Sequence, residues 1–296
     1  MSSIAKGVLS FELDKKSNAI GQIDQFKWVA ASHVPIGCTD FLEIRCEPIE
    51  SSRTALWSCT AVGTLAVTSS TDIRKQSVYR LWSASFSNRR VVFTDQFASS
   101  DRAKAEMIVW NPNVDQIHIE ITSSFYTDLA DPGNLLIEDS SDATLLKIDG
   151  EEIWLPKKHL ECYSPFFATL FRSDFREKSQ GFCELKGPKL KEFIHFIGIV
   201  FSINDHIDDL SVEYLLWLGD LYQCRLVMKR CEEFLKTDKN LTSLKKLLLV
   251  DRFQLHSIVA EVAMNLTVDE IKTINVDSLF STTVSHMLLQ KCQQLI

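Results

Sequence analysis

Glycine and proline are scarce in this chain, at 10 and 7 of 296 residues. That excludes a collagen-like repeat or an unstructured Pro/Gly-rich chain. Long apolar runs are missing as well. The most apolar window, Phe193 to Ile203, covers 11 residues and includes His195 and Ser202, well short of the roughly 18–20 residues that cross a bilayer. No membrane partner is expected. The opening residues, Met1 to Lys6, hold no apolar core followed by a cleavage site, so the expectation is a cytoplasmic or nuclear protein. An excess of positive charge is also absent: the net charge is −7, with −4 from residues 1–139 and −3 from the remainder. Neither half has the basic footprint of a nucleic-acid binder.

The sequence is equally poor in catalytic signatures. There is no Walker A loop, no Gly-x-Gly-x-x-Gly, no Gly-x-Ser-x-Gly and no His-Glu-x-x-His. Eight cysteines stand at positions 38, 46, 59, 162, 183, 224, 231 and 292, none in a Cys-x-x-Cys pair or a Cys/His cluster with zinc spacing. They read as small buried hydrophobes. Cys224 and Cys231, seven apart, fall on one helix face as part of a core stripe. His118 on a polar strand face and His195 in an amphipathic helix read as surface or satisfied residues. No catalytic residue, metal site or cofactor is expected, and the protein is read as non-enzymatic.

What the sequence does contain is two kinds of periodicity. Apolar residues make up 45% and charged residues 24%, a composition able to bury real cores. From about residue 20 to 126, short runs rich in Val, Ile, Thr, Phe and Trp predict strands over Phe26–Ala30, Phe41–Cys46, Leu56–Val67, Val78–Phe86, Arg90–Phe93, Ala105–Trp110 and Gln116–Thr122. In the last of these, Ile117, Ile119 and Ile121 face one way and His118 and Glu120 the other. About seven strands in this length predict an antiparallel β-sandwich. Asp131-Pro132-Gly133 and the acidic run Glu138 to Asp142 then mark a boundary.

Beyond it, Ala143–Ile148 and Glu151–Leu155 flank Asp149-Gly150, a two-residue loop suited to a type I′ hairpin. Ser164-Pro165 reads as an N-cap with proline at the first helical position. A short strand over Phe182–Leu185 precedes a helix opening at Pro188, whose stripe is Leu190, Phe193, Ile194, Ile197 and Phe201. Helices follow over about Asp209–Leu218, Tyr222–Leu235, Thr242–Val250, Phe253–Asn265 and Ser278–Cys292. Asn240 and Asn265 stand in glycosylation-like triplets, but Thr242 and Thr267 are better read as helix caps; Thr267 to Glu270 has capping-box spacing.

The segment 142–236 closely resembles the BTB/POZ family. The resemblance rests on Asp142, on Lys157, Leu160, Ser164, Pro165 and Phe167 within the run Leu155 to Phe167, on Thr169 to Ser179, on Glu213 to Gln223, and on Cys231 to Leu235. It departs from the family at Pro156, where a His is common, and at Phe201, where a Tyr is common. The helix that precedes the domain in many dimeric members is not evident in 131–141. The resemblance implies a domain order: a MATH-like (TRAF-like) β-sandwich over 1–130, a linker over 131–141, an α+β BTB/POZ domain over 142–236, and a BACK-like C-terminal helical extension over 237–296. It also implies an adaptor. Phe175 and Glu177, in Phe175-Arg176-Glu177, match the family's contact with the cullin-three scaffold of a ubiquitin ligase. The sandwich would then bind an unidentified protein substrate. Asp142 and Lys157 resemble the family's charged pair at a homodimer interface. The alternative is a BTB scaffold or transcriptional-regulator dimer that engages no ligase.

Overall fold

The computed structural model describes residues 5–11, 18–33, 41–68, 77–96, 115–172, 182–204, 206–267, 270–271 and 280–294. The chain divides into two units, Met1–Leu135 and Leu136–Ile296.

In the first unit, alternation of apolar and polar residues gives each strand one buried face. The strands are β1 (Ala5–Phe11), β2 (Asn18–Ile23), β3 (Phe26–His33), β4 (Phe41–Pro48), β5 (Ala55–Thr68), β6 (Ser77–Ser87), β7 (Val92–Gln96) and β8 (Asp115–Asp128). They form two antiparallel four-stranded sheets, ordered β1-β8-β5-β6 and β2-β3-β4-β7, which is the sandwich the periodicity predicts. Ile117, Ile119 and Ile121 of β8 are buried, and His118 is exposed.

The core between the sheets is aromatic. Trp28 meets Phe86 edge-on at 5.4 Å, and Phe26 lies 5.8 Å from Trp57. All four are buried. The ladder between β5 and β8 shifts register between Thr60 and Ala61, a bulge at which the Thr122 hydroxyl donates to the Thr60 carbonyl, 3.0 Å away. Polar pins hold one end. Asn88 accepts from the Trp57 amide at 2.8 Å and donates to the Ala55 carbonyl at 2.7 Å. Buried Thr54 donates its hydroxyl to Asp128 at 2.5 Å.

Two strands depart from the sequence expectation. β1 lies wholly before the predicted β region, and β2 begins at its edge. Both contain a glycine that weakens the strand signal: a Cβ on Gly7 would fall 2.5 Å from the Ile23 side chain, and one on Gly21 would fall 2.4 Å from Leu9. These two strands need glycine in order to approach each other closely. The predicted strand Arg90–Phe93 begins two residues later, as β7. The predicted strand Ala105–Trp110 lies outside the described residues.

The second unit opens with a three-residue 3-10 turn, Ser140–Asp142, capped by Asp139, whose carboxylate accepts from the Ser141 amide at 2.9 Å. The hairpin follows as β9 (Ala143–Ile148) and β10 (Glu151–Pro156). Asp149 (φ 52°) and Gly150 (φ 81°) are both left-handed, as a type I′ turn requires. β11 (Cys183–Leu185) adds parallel to β9, giving the order β10-β9-β11. The helices are α1 (Lys157–Tyr163), α2 (Pro165–Arg172), α3 (Leu190–Val200), α4 (Val212–Leu221), α5 (Arg225–Thr237), α6 (Ser243–Arg252), α7 (Val259–Met264) and α8 (Thr282–Gln294).

Two helices, α5 and α7, start later than the sequence predicts for a common reason. α3, α4 and α6 end in left-handed residues that are not glycine: Ser202, Gln223 and Gln254. In each case the next amide reaches back to a carbonyl in the helix: Ile203 to Gly198 at 2.8 Å, Cys224 to Gly219 at 2.7 Å and Leu255 to Val250 at 2.9 Å. The Gln223 turn moves the start of α5 from Tyr222 to Arg225, and the Gln254 turn shortens the predicted Phe253–Asn265 helix to α7. The start of α4 moves to Val212 because Asp208 accepts from the Leu210 and Ser211 amides, at 3.1 and 2.8 Å, and holds those residues in a turn. Both threonine caps form. Thr242 accepts from the Lys245 amide, and Thr267 exchanges hydrogen bonds with Glu270. Lys291 of α8 donates to the Ala263, Met264 and Leu266 carbonyls at the end of α7.

Candidate interaction surfaces

The centre of the second unit is built around one serine and one tyrosine. Ser164, buried, accepts the Phe167 amide at 3.2 Å and so caps α2. The same hydroxyl donates to the Tyr222 carbonyl in the turn between α4 and α5. The Tyr222 ring is surrounded by Phe166, Phe167, Phe193 and Phe196, with centroids 5.0 to 5.8 Å away. Burial pushes its phenol above the ordinary tyrosine range. Beside it α4 and α5 cross tightly: a Cβ on Gly219 would sit 2.8 Å from the Met228 sulfur. The Ser-Pro motif is thus a structural pin that locks a helix start to a distant turn.

His195 is the second pin. It is buried on α3 and bonded on both sides: Nδ1 lies 2.6 Å from the Tyr214 hydroxyl and Nε2 lies 2.9 Å from the His206 carbonyl. A carbonyl can only accept, so Nε2 carries the proton and, in the neutral ring, Nδ1 accepts from Tyr214. This is the satisfied histidine the sequence suggests. Cys224 and Cys231 are also buried, with burial raising both thiols, Cys231 to about 12. Thiols held so far from thiolate are packing groups.

Asp142 and Lys157 lie at the entrance to this unit, and both are half-buried. Asp142 has an intrachain role that sequence reasoning missed. Pro156, the N-cap of α1, provides no side-chain hydrogen bond, and Asp142 Oδ1 instead accepts the Lys158 amide from 3.1 Å. A carboxylate there also complements the helix dipole. A cap supplied from 16 residues away leaves no local sequence signal. Lys158 faces Asp139 at 3.9 Å, and Ser141 hydrogen bonds hold the Asp139 carboxyl below its ordinary value. Phe201, where the family often has tyrosine, stacks on His159 at 3.9 Å and 16°. Phe175 and Glu177, between α2 and β11, lie outside the described residues.

Glu213 of α4 bridges to α6, contacting Lys245 at 2.5 Å and Arg252 at 3.2 Å. On the sandwich, the outer face of the β1-β8-β5-β6 sheet carries a groove of about 680 Å³ lined by Val8, Val62, Leu81 and His118. The Lys6–Glu120 ion pair also borders it, at 2.8 Å. Among the described residues, no group of three or more His, Cys, Asp or Glu side chains could hold a metal ion, and no helix is long and apolar enough to cross a membrane.

A three-stranded hairpin sheet leading into paired helices pinned by Ser164 is the arrangement of a BTB/POZ domain, and residues 134–239 match the BTB/POZ domain family model. This chain therefore carries a BTB/POZ domain, preceded by an antiparallel MATH-like sandwich and followed by further helices. It is 30% identical over 159 residues to BTB and MATH domain-containing protein 38 of Caenorhabditis elegans, an alignment covering 52% of this chain and 41% of that protein. BTB and MATH domain-containing protein 36 of the same organism is 27% identical over 111 residues, covering 38% and 35%. Human Kelch-like protein 26 is 33% identical over 92 residues, covering 31% and 15%. The aligned part of the chain thus spans less than half the length of each of these relatives. The likeness supports a protein-binding role.

Proposed function

We propose that this chain is a substrate-recognition adaptor of a cullin-RING ubiquitin ligase. The observation that carries this reading is the joining, in one chain, of a BTB/POZ domain and an antiparallel sandwich with its own core. One unit holds the cullin-three scaffold, the other holds the protein to be modified, and proximity promotes ubiquitin transfer. The chain itself performs no catalysis in this scheme. Phe175 fills an apolar pocket on the cullin, and Glu177 accepts a charge-assisted hydrogen bond at its rim. The helices after residue 237 widen the cullin-facing surface. A homodimer forms through the surface that bears Asp142 and Lys157.

The test is a pull-down of the cullin-three scaffold with wild-type, Phe175→Ala and Glu177→Ala protein, with the mass of each sample followed by light scattering. Wild type should capture the cullin and run as a dimer. Each substitution should weaken capture at least about tenfold, the loss expected for a central interface anchor, while leaving the dimer intact. Equal capture by all three proteins would remove the cullin-docking role. A monomer at micromolar concentration would remove the dimer.

A further inference from the structure

A sheet edge is a row of unpaired amides and carbonyls that another strand can join. Three sheets among the described residues give six such edges, and five of them are short or blunted. β7 and β11 have five and three residues. β10 carries Glu151, Glu152 and Pro156. β1 and β2, with seven and six residues, are interrupted by Gly7 and Gly21. β6 differs: its 11 residues include one charged residue, Arg80, and neither glycine nor proline. Among the described residues no strand pairs with its outer side. Its backbone direction is fixed at one end. The Ser87 amide donates to the Arg90 carbonyl at 2.9 Å, and so Ser87 turns away from β5. Direction alternates along a strand, which puts the amides and carbonyls of Leu81, Ser83 and Ser85 on the free edge as well. All three are exposed, and Leu81, at 81%, is the most exposed large apolar side chain among the described residues.

We propose that the free edge of β6 pairs with β6 of a second copy of this chain, antiparallel about a two-fold axis through Leu81. That register sets Leu81 against the partner's Leu81, with about 5.5 Å between their Cα atoms and both side chains on the outer face. Ser83 and Ser85 fall opposite the partner's Tyr79 and the partner's Ser77, for a total of about ten backbone hydrogen bonds. Arg80 falls opposite the partner's Trp82, so no charged residue meets its like. An axis through Ser83 fits less well. It leaves Leu81 opposite the partner's Ser85 and calls on the Ser87 amide, which is already bonded. The edge is thus complementary to itself, with its exposed leucine on the axis and its one charge off it. Two sandwiches joined in this way share one continuous sheet. Pairing through a single edge covers a small area, at the low end for specific contacts, and is expected at roughly 100 μM.

The experiment uses the full chain at that concentration. Leu81→Cys and Ser83→Cys proteins are oxidised in parallel with glutathione disulfide, while wild type reports any link through the native cysteines. Cα atoms directly opposed across the axis suit a disulfide. Ser83 and the partner's Ser83 are instead offset by four residues, about 13 Å along the strands. Leu81→Cys should therefore become a covalent dimer several-fold faster than Ser83→Cys, joined through the tryptic peptide that begins after Arg80. Ser83→Pro removes an amide from the free edge alone, where proline is tolerated, and should lower the mass measured by light scattering relative to wild type. The mass of Ser83→Pro at micromolar concentration reports the surface proposed for Asp142 and Lys157, so the two pairings fail separately. If Ser83→Pro does not fold, the two cysteine proteins decide alone. Equal crosslinking rates, or equal masses for wild type and a folded Ser83→Pro, overturn the pairing and leave the edge to a strand of another protein.

Discussion

The two units of this chain are held by different physics. The sandwich rests on apolar interdigitation, with Trp28, Phe86, Phe26 and Trp57 meeting across two sheets. The BTB/POZ unit has an aromatic cluster too, but its buried polar pins sit at its centre, Ser164 to the Tyr222 carbonyl and His195 to Tyr214 and His206, whereas those of the sandwich hold one end. Apolar packing tolerates many sequences with the right pattern and volume. A buried hydrogen bond tolerates few, because removing one partner leaves the other desolvated and unsatisfied. Sequence identity should therefore persist where the pins are and drift where only pattern matters.

Three substitutions would break or sharpen that contrast, provided the two units unfold in separate transitions. The largest effect is expected from Trp28→Ala, which empties the middle of the sandwich and should cost about 3–5 kcal/mol, the usual penalty for removing a buried aromatic. Chemical denaturation followed by tryptophan fluorescence and hydrogen exchange should show it as earlier unfolding of the first unit alone. Ser164→Ala deletes only one oxygen, yet removes a helix cap and strands a buried carbonyl. It should cost on the order of 2–3 kcal/mol in the second unit. A loss under about 1 kcal/mol would mean that Ser164 is no pin.

The smallest effect concerns acid. Burial pushes the Asp128 carboxyl upward, but hydrogen bonds from Thr54, Ala130 and Ser52 outweigh it, and the group sits below its ordinary value. A carboxyl depressed in the folded state contributes stability that is fully present above its unfolded value, about 3.9. That contribution is lost as the pH falls through the folded value. Thr54→Val should flatten the loss of sandwich stability below about pH 4 and leave the second unit's acid response unchanged. Melting curves from pH 2.5 to 7 would show this, and identical slopes for the two proteins would count against the Thr54–Asp128 bond.

The same contrast explains what could be read from the residues. Alternation in Ile117, Ile119 and Ile121 located β8, and Asp149-Gly150 located the hairpin, because each element states its geometry locally. The BTB/POZ resemblance drew on Ser164 among other residues, and the fold uses Ser164 twice, as the cap of α2 and as a donor to the Tyr222 carbonyl. The strands β1 and β2 escaped because Gly7 and Gly21 serve a close approach between distant segments. The sequence places the starts of α5 and α7 too early because Gln223 and Gln254 take the left-handed conformation without the glycine that usually announces it. The cap that Asp142 gives to α1 escaped because its two halves lie on either side of a hairpin.

Glu213 has a mechanical meaning beyond its modest energy. Exposed ion pairs add little stability, but Lys245 and Arg252 stand seven residues apart, two turns along one face of α6, and both close on the same carboxylate. Two grips on one post remove the swivel that a single grip would leave. The first helix past the domain is thereby held in a fixed attitude to α4, so a partner pulling on α6 pulls on the BTB/POZ fold itself.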